Sequence, residues 1–341
     1  MNKRDNSLDF FRGLAAISVI LIHTCFWSGT SYVPIKFQSL SLLIDVPLFV
    51  FISGMSFNFS KSLFKTIKGF CKLWYKYIIF ILLYYLLIFI FDRNNFSLYH
   101  IFTALFFKFS SNDIFKVVPG SFWFLFMFFT VSILSNIVIC TYNKYFKTID
   151  NFKYIILIVF IFYGISYFRP NFTFIPPIIF MYSLLYLSGY YLYNYKIKNI
   201  YNYIIMFGGL TILYLIFNRY LDLELNEMQT YKANIDYRYL LFSSFSILTV
   251  FYLKDRIKIK YNNIIAYIGR NALTFYFTQG ISSSILYFIL PIITVNTWYI
   301  KLILLFIINL LMTFILSFIV KIIYENITKI KFKISLCEKK L

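Results

Sequence analysis

The chain lacks the sequence features that mark most water-soluble enzymes. It has no phosphate-cradling glycine loop, no Gly-x-Ser-x-Gly elbow and no His-Glu-x-x-His pair. P-loop, serine-hydrolase and zincin chemistry in their usual sequence forms are therefore excluded. The four cysteines (Cys25, Cys71, Cys140, Cys337) are scattered without paired spacing, so neither a disulfide framework nor a zinc site is expected, and no other metal site is read. Histidine occurs only twice, at His23 and His100, and carboxylates are scarce, 13 against 33 Lys and Arg. No polar stretch is long enough for a soluble domain. The longest are about 92–120, 218–237 and the tail from Glu325. No internal repeat is visible, which gives no support to a transporter built from inverted halves.

What the chain has in quantity is apolar length. Its 341 residues are 60% hydrophobic with mean hydropathy +0.74, where soluble domains run nearer about 45–50% apolar. The apolar runs reach the ~20 residues that cross a bilayer as helix. Ten spans are predicted, at 10–28, 40–59, 73–91, 121–141, 154–168, 174–193, 200–217, 238–253, 264–289 and 299–324. The fold class is all-α: a polytopic membrane helical bundle forming a single integral-membrane domain over 1–341. The net charge of +20 is mostly a topology signal. With the N-terminus inside, inner segments hold 20 Lys and Arg and outer segments hold 7, as the positive-inside rule requires. Both termini are thus expected in the cytoplasm, and the partner is a lipid bilayer, not nucleic acid. Arg12 and His23 interrupt the first apolar stretch and no small-residue cleavage site follows, so a cleavable signal peptide is not expected. Residues 98–109 read as an interfacial or re-entrant helix. The acidic cluster Asp222, Glu224, Glu227 and Asp236 should be extracellular.

Arg12 and His23 carry the chemistry. An ionisable residue inside a membrane helix is costly and marks function by default. Eleven helical steps end about 20° past three full turns, so both side chains share a face, roughly 16 Å apart along the axis. One helix then offers a fixed cation near the inner surface, suited to an anionic donor, and a titratable imidazole well inside. Asp45 should lie at a similar depth on the next helix, where it either partners His23 as a general-base pair or simply starts its helix. Asp9, three residues before Arg12, can pair with it. Lys68, Lys72 and Lys76 share one face of the third helix, as topology decoration or as a second anion contact. Arg270 and Asn271 lie within about two turns of the inner surface, with Gln279 deeper; all three are pore-facing candidates. Trp123 reads by default as interfacial aromatic belt and is also a pore-lining candidate, and His100 reads as interfacial.

Four segments resemble one family. Arg12-x10-His23 in LDFFRGLAAISVILIH resembles the first-helix signature of the membrane acyltransferase-3 family. DVPLFVFISGMSF (45–57) resembles its second-helix pattern, in the form seen in sugar O-acetylases related to fucose 4-O-acetylase. FWFLFMF (122–128) resembles its Trp-Phe-Leu element, and IGRNALTFYFTQ (268–279) its late Gly-x-x-Ser-x-x-x-Tyr-x-x-His pattern. There are departures. The family's Arg-x-x-Arg on the third helix is matched by GFCK (69–72), so Lys72 stands for the second arginine, Gly69 replaces the first and Lys68 is adjacent. Gln279 stands at the late histidine, and Asp45 replaces the histidine of the second pattern.

The resemblance implies ten helices and an O-acyltransferase reaction. An acyl group, usually acetyl from cytoplasmic acetyl-CoA, would move to a hydroxyl of a surface polysaccharide (capsule, O-antigen or exopolysaccharide) or of a lipid-linked glycan, at a bacterial plasma membrane. Arg12, Lys68, Lys72 and Arg270 would hold the donor phosphates. His23 would take the hydroxyl proton or carry the acyl group, with Asp45 beside it. The alternative is a transporter or flippase for a glycan or lipid, which leaves the Arg12–His23 register unexplained. A glycan polymerase would usually present larger, arginine-bearing outer loops.

Overall fold

Long apolar runs interrupted mainly at Pro, Asn, Asp and Gly leave the backbone little choice in lipid: its polar groups must be paired within the segment, and that means helix. The computed structural model describes residues 5–338 except 29–31, 61, 111, 147–148, 170–174 and 221–222, with 330–338 described by backbone alone. Asp222 of the acidic cluster and the side chain of Cys337 lie outside the described residues. The described residues form fifteen α-helices and no strand: α1 (Asn6–Trp27), α2 (Ile35–Ser41), α3 (Val46–Phe57), α4 (Leu63–Phe91), α5 (Leu98–Leu105), α6 (Val117–Ser121), α7 (Trp123–Tyr145), α8 (Phe152–Phe168), α9 (Pro177–Leu192), α10 (Ile200–Tyr220), α11 (Met228–Ala233), α12 (Tyr237–Leu253), α13 (Ile264–Arg270), α14 (Ala272–Ile289) and α15 (Trp298–Glu338). Eight helical segments are long and apolar enough to cross a membrane, and α9 and α12 are shorter apolar helices. Every predicted span contains a helix, and the chain is a multi-pass helical membrane protein.

Three spans differ in detail from the prediction. The second is broken before Asp45, which adopts an extended backbone and caps α3, with Pro47 in its first turn; proline is favoured there because its missing N–H has no helical partner to lose. The ninth is two helices, broken at Asn271, whose φ of −115° and ψ of 15° leave the helical region. The third starts at Leu63, so Lys65, Lys68, Lys72 and Lys76 are all helical. Within the predicted interfacial piece 98–109 lies α5, followed by Phe107 at φ 62°.

The chain divides into two compact units. The first comprises 1–22, 32–67 and 124–270; the second comprises 23–31, 68–123 and 271–341. In the first, α3 packs along α9. A Cβ on Gly54 would collide with the Tyr186 carbonyl, and one on Gly189 with the Phe51 carbonyl. With little hydrophobic force between helices in lipid, such small residues let backbones approach closely enough for dispersion to hold them. Helix α8 packs on α9, and α12 packs on both α3 and α10. Helix α10 itself has no buried residue. Its contacts to α12 include the Tyr203 ring stacked on Tyr252 at 4.4 Å, the Tyr203–Thr249 hydroxyl contact at 3.2 Å and edge-on rings at Phe207–Phe245, Tyr214–Phe245 and Phe217–Tyr237.

In the second unit α14 is the innermost helix, buried at every residue from Ala272 to Ser284. It packs against α15 and α6. Tyr77, Phe80, Phe122 and Phe277 form an aromatic cluster beside it, with Phe80 stacked on Phe122 at 5.3 Å and Phe277 edge-on to Tyr77 at 5.6 Å.

Candidate active site

Helix α1 is unbroken from Asn6 to Trp27, so Arg12 and His23 do share one helix. In the first unit, Arg12 Nη1 lies 3.3 Å from Asp9 Oδ1, and its Nη2 donates to Ser56 Oγ at 2.6 Å. Ser56 belongs to the ISGMSF stretch, so the first two motifs meet through this guanidinium. The Arg12 side chain is 16% exposed and Asp9 is 3% exposed. A guanidinium is a planar fork of donors suited to phosphate oxygens, and here one Nη faces Asp9 and the other Ser56.

A glycine crossing sets where Arg12 stands. A Cβ on Gly13 would strike the Ile265 carbonyl, and one on Gly269 would strike the Asp9 carbonyl. Helices α1 and α13 therefore touch backbone to backbone at the residues next to Arg12 and Arg270. The N-terminal turn of α1 is tied further by Ser7 Oγ donating to the Ile257 carbonyl at 2.6 Å. Arg270 ends α13. Its Nη2 donates to the Tyr261 carbonyl at 3.0 Å, and its guanidinium lies 4.2 Å from the centre of the Tyr261 ring. Its Nη1 is buried and makes no hydrogen bond within the described residues, leaving a charged donor available to an anion.

Asp45, also in the first unit and 2% exposed, has partners that the sequence did not suggest. Lys232 Nζ lies 2.7 Å from Oδ2, and Tyr239 donates its hydroxyl to the same oxygen at 2.6 Å. Lys232 comes from α11, so this short helix is fastened to the start of α3. Two residues past Ile235, which sits at φ 60°, the neighbouring Asp236–Arg238 pair begins α12. Arg238 donates through its backbone N–H at 2.8 Å and through Nη2 at 2.8 Å, and Tyr167 adds its hydroxyl at 2.9 Å. Burial works against ionisation of Asp236, yet these hydrogen bonds hold its carboxyl below the usual range.

His23 belongs to the second unit and is half-buried. The next residue, Thr24, is fully buried, and its hydroxyl accepts from Asn309 Nδ2 of α15 at 2.9 Å. The same Nδ2 donates to Ser283 Oγ at 3.0 Å, and Ser283 Oγ approaches Gln279 Oε1 at 3.4 Å. Gln279 is thus completely buried, in contact with hydroxyls and an amide. Nearby in the same unit, the Tyr276 hydroxyl donates to the Ser121 carbonyl, and a Cβ on Gly280 would sit 3.2 Å from Val118 and Ser121 side-chain atoms. The late motif therefore docks against the turn that precedes the Trp-Phe-Leu element.

Lys68 and Lys72 are exposed on α4, while Lys76 Nζ lies over the Tyr324 ring at 5.2 Å. Trp123 opens α7 and is 40% exposed. Asn271 marks the break between α13 and α14. Among the described residues no three His, Cys, Asp or Glu side chains gather as metal ligands would. Sequence reasoning missed Asn309, although a lone Asn in KLILLFIINLLMTFILSFIV is the kind of costly polar residue that signals a role. It also missed Ser56, Lys232 and Tyr239, which have no local signal and meet their partners only through the fold.

No curated protein and no solved structure matches the chain. Residues 5–322 match the family described as Acyltransferase domain, a match that covers nearly the whole chain and all four motif segments. The chain therefore belongs to the acyltransferase-3 family, and it is a multi-pass membrane enzyme that transfers acyl groups to hydroxyls.

Proposed function

We propose that this acyltransferase takes acetyl from cytoplasmic acetyl-CoA and places it on a hydroxyl of a cell-surface polysaccharide or lipid-linked glycan at a bacterial plasma membrane. The observation that carries the reading is α1 itself: a guanidinium braced by Asp9 and Ser56 and an imidazole three turns further along the same helix. Arg12, with the buried Nη1 of Arg270, supplies charged donors for the phosphates of the donor. Lys68 and Lys72, exposed at the start of α4, are suited to meet a phosphate as it arrives from solvent.

The chemistry needs one proton acceptor near the thioester. In the direct route, an imidazole nitrogen of His23 removes the hydroxyl proton of the acceptor as its oxygen attacks the thioester carbonyl. The carbon–sulfur bond breaks, and the departing thiolate takes the proton back from the imidazolium. In the two-step route His23 itself attacks, thiolate leaves, and the acyl-imidazole is then cleaved by the acceptor hydroxyl. Both routes use the same residue and consume no oxidant or reductant. The resemblance to sugar O-acetylases related to fucose 4-O-acetylase supports a sugar acceptor.

The test uses membranes containing the wild type or His23→Ala, radiolabelled acetyl-CoA and total cell-surface glycan. Transfer by the wild type and none by the variant, at equal expression, is the expected result. Equal transfer by both removes His23 from the mechanism. No transfer by either, across acetyl and succinyl donors, counts against the donor and acceptor proposed.

A further inference from the structure

The second unit contains a buried polar network that the acyl-transfer steps do not use. Thr24, Thr278, Gln279, Ser282, Ser283, Asn309 and Thr313 all have 0% exposure. Asn309 is its hub. Its Nδ2 serves Thr24 of α1 and Ser283 of α14, and its backbone carbonyl accepts from Thr313 Oγ1 at 2.8 Å, which in turn lies 2.6 Å from Ser282 Oγ. The network is incomplete: Asn309 Oδ1 and Gln279 Nε2 make no hydrogen bond within the described residues. Turning either amide over exchanges the unsatisfied atom without removing the deficit. An amide kept in a membrane helix at that cost asks for a reason, since leucine would fill the same space with no polar atom to satisfy.

What the amide accomplishes is geometric. It ties α1, α14 and α15 at one level, and on α1 the tie falls on the residue immediately after His23. Successive residues are separated by 100° around a helix, so a fixed Thr24 fixes the direction in which the His23 side chain leaves the axis. We propose that Asn309 is a positioning residue that holds the His23 imidazole in its working orientation by way of Thr24. The inference rests on the reading of His23 as the reacting group, but its structural half can be measured without any transfer assay.

The chain has only two histidines. Full-length protein in detergent micelles, labelled with ring-15N histidine, should therefore give two sets of imidazole signals, assigned with His23→Ala. Asn309→Leu and, separately, Thr24→Val are expected to shift or split the His23 signals and leave those of His100 in place. Thr24→Val keeps the side-chain shape, so it carries the test if Asn309→Leu fails to fold. In the transfer assay, Asn309→Leu should lower kcat about tenfold, as loss of alignment at a reacting group does, with KM for acetyl-CoA unchanged. Adding Thr24→Val should slow it no further, because both changes break one connection. Unmoved His23 signals overturn the positioning role whatever the transfer assay gives. Moved signals, with equal transfer by the wild type and His23→Ala, leave the orientation effect intact and overturn the function assigned to His23.

Discussion

Lys232 reaches from α11 to Asp45 at the start of α3, with 2.7 Å between Nζ and Oδ2. The carboxylate is 2% exposed and the ammonium 14%, so each needs the other. Removing one partner of a buried pair typically costs about 3–5 kcal/mol, whereas replacing both with neutral groups costs far less. Lys232→Met should accordingly destabilise the protein strongly, and Asp45→Asn/Lys232→Met should recover most of the loss, because Tyr239 can still donate to the amide oxygen. Thermal unfolding in detergent checks this, and equal losses in the single and double variants would rule it out. Transfer activity in the double variant separates an anchoring Asp45, for which activity persists, from one that serves His23.

The glycine crossings make a second, sharply divided expectation. Gly13→Ala and Gly269→Ala drive a methyl into a backbone carbonyl, which only separation of α1 from α13 relieves. Both should lose most folded protein at normal expression. Gly208→Ala and Gly209→Ala, on α10, face open space and should be neutral or raise stability by about 0.5–1 kcal/mol, the usual gain from alanine in a helix. Size-exclusion profiles of the four variants suffice to compare them.

Gly69 stands where relatives often carry the first arginine of an Arg-x-x-Arg pair, and nothing lies within 4 Å of where its Cβ would be. Gly69→Arg is therefore expected to fold normally. If the start of α4 meets the donor phosphates, the new guanidinium should lower KM for acetyl-CoA severalfold, with an effect that fades as salt screens it. An unchanged KM at low ionic strength would remove this end of α4 from the donor site.

Asp236 predicts a pH dependence. Its folded carboxyl titrates below the ordinary value of 3.8 despite its burial, because Arg238 and Tyr167 hydrogen-bond the charged form. A depressed pKa contributes stability that is fully present above the unfolded value and lost as pH falls through the folded one. The gap in melting temperature between wild type and Asp236→Asn should thus be constant from pH 7 to about pH 5 and close below pH 3.8. A gap that widens on acidification would contradict the assignment.

The helical class, the rough positions of the apolar segments and the sharing of one helix by Arg12 and His23 were legible in the sequence because each depends on local pattern: apolar length and a 3.6-residue period. The breaks at Asp45 and Asn271 were less so, since an apolar count runs straight through them, and only the backbone angles reveal a helix that stops and restarts. The site's supporting contacts were hidden for a different reason. Ser56, Lys232, Tyr239 and Asn309 join residues far apart in the chain, and nothing in the composition around a serine or lysine tells which distant carboxylate or guanidinium it will meet. The glycines were visible as letters in motifs, but their purpose, bringing two backbones into contact beside Arg12 and Arg270, appears only when the helices cross.

Helix α10 contributes no buried residue, and it meets α12 through a row of aromatic rings along its length, Tyr203 on Tyr252, Phe207 and Tyr214 on Phe245 and Phe217 on Tyr237. Its 21 residues rise about 31 Å, close to the hydrocarbon depth of a typical bilayer. Lipid, rather than protein, is therefore the environment that its sequence has to suit. A thinner or thicker membrane acts on such a helix as a change in tilt, and the row of ring contacts from Tyr203 to Phe217 is what ties that tilt to α12.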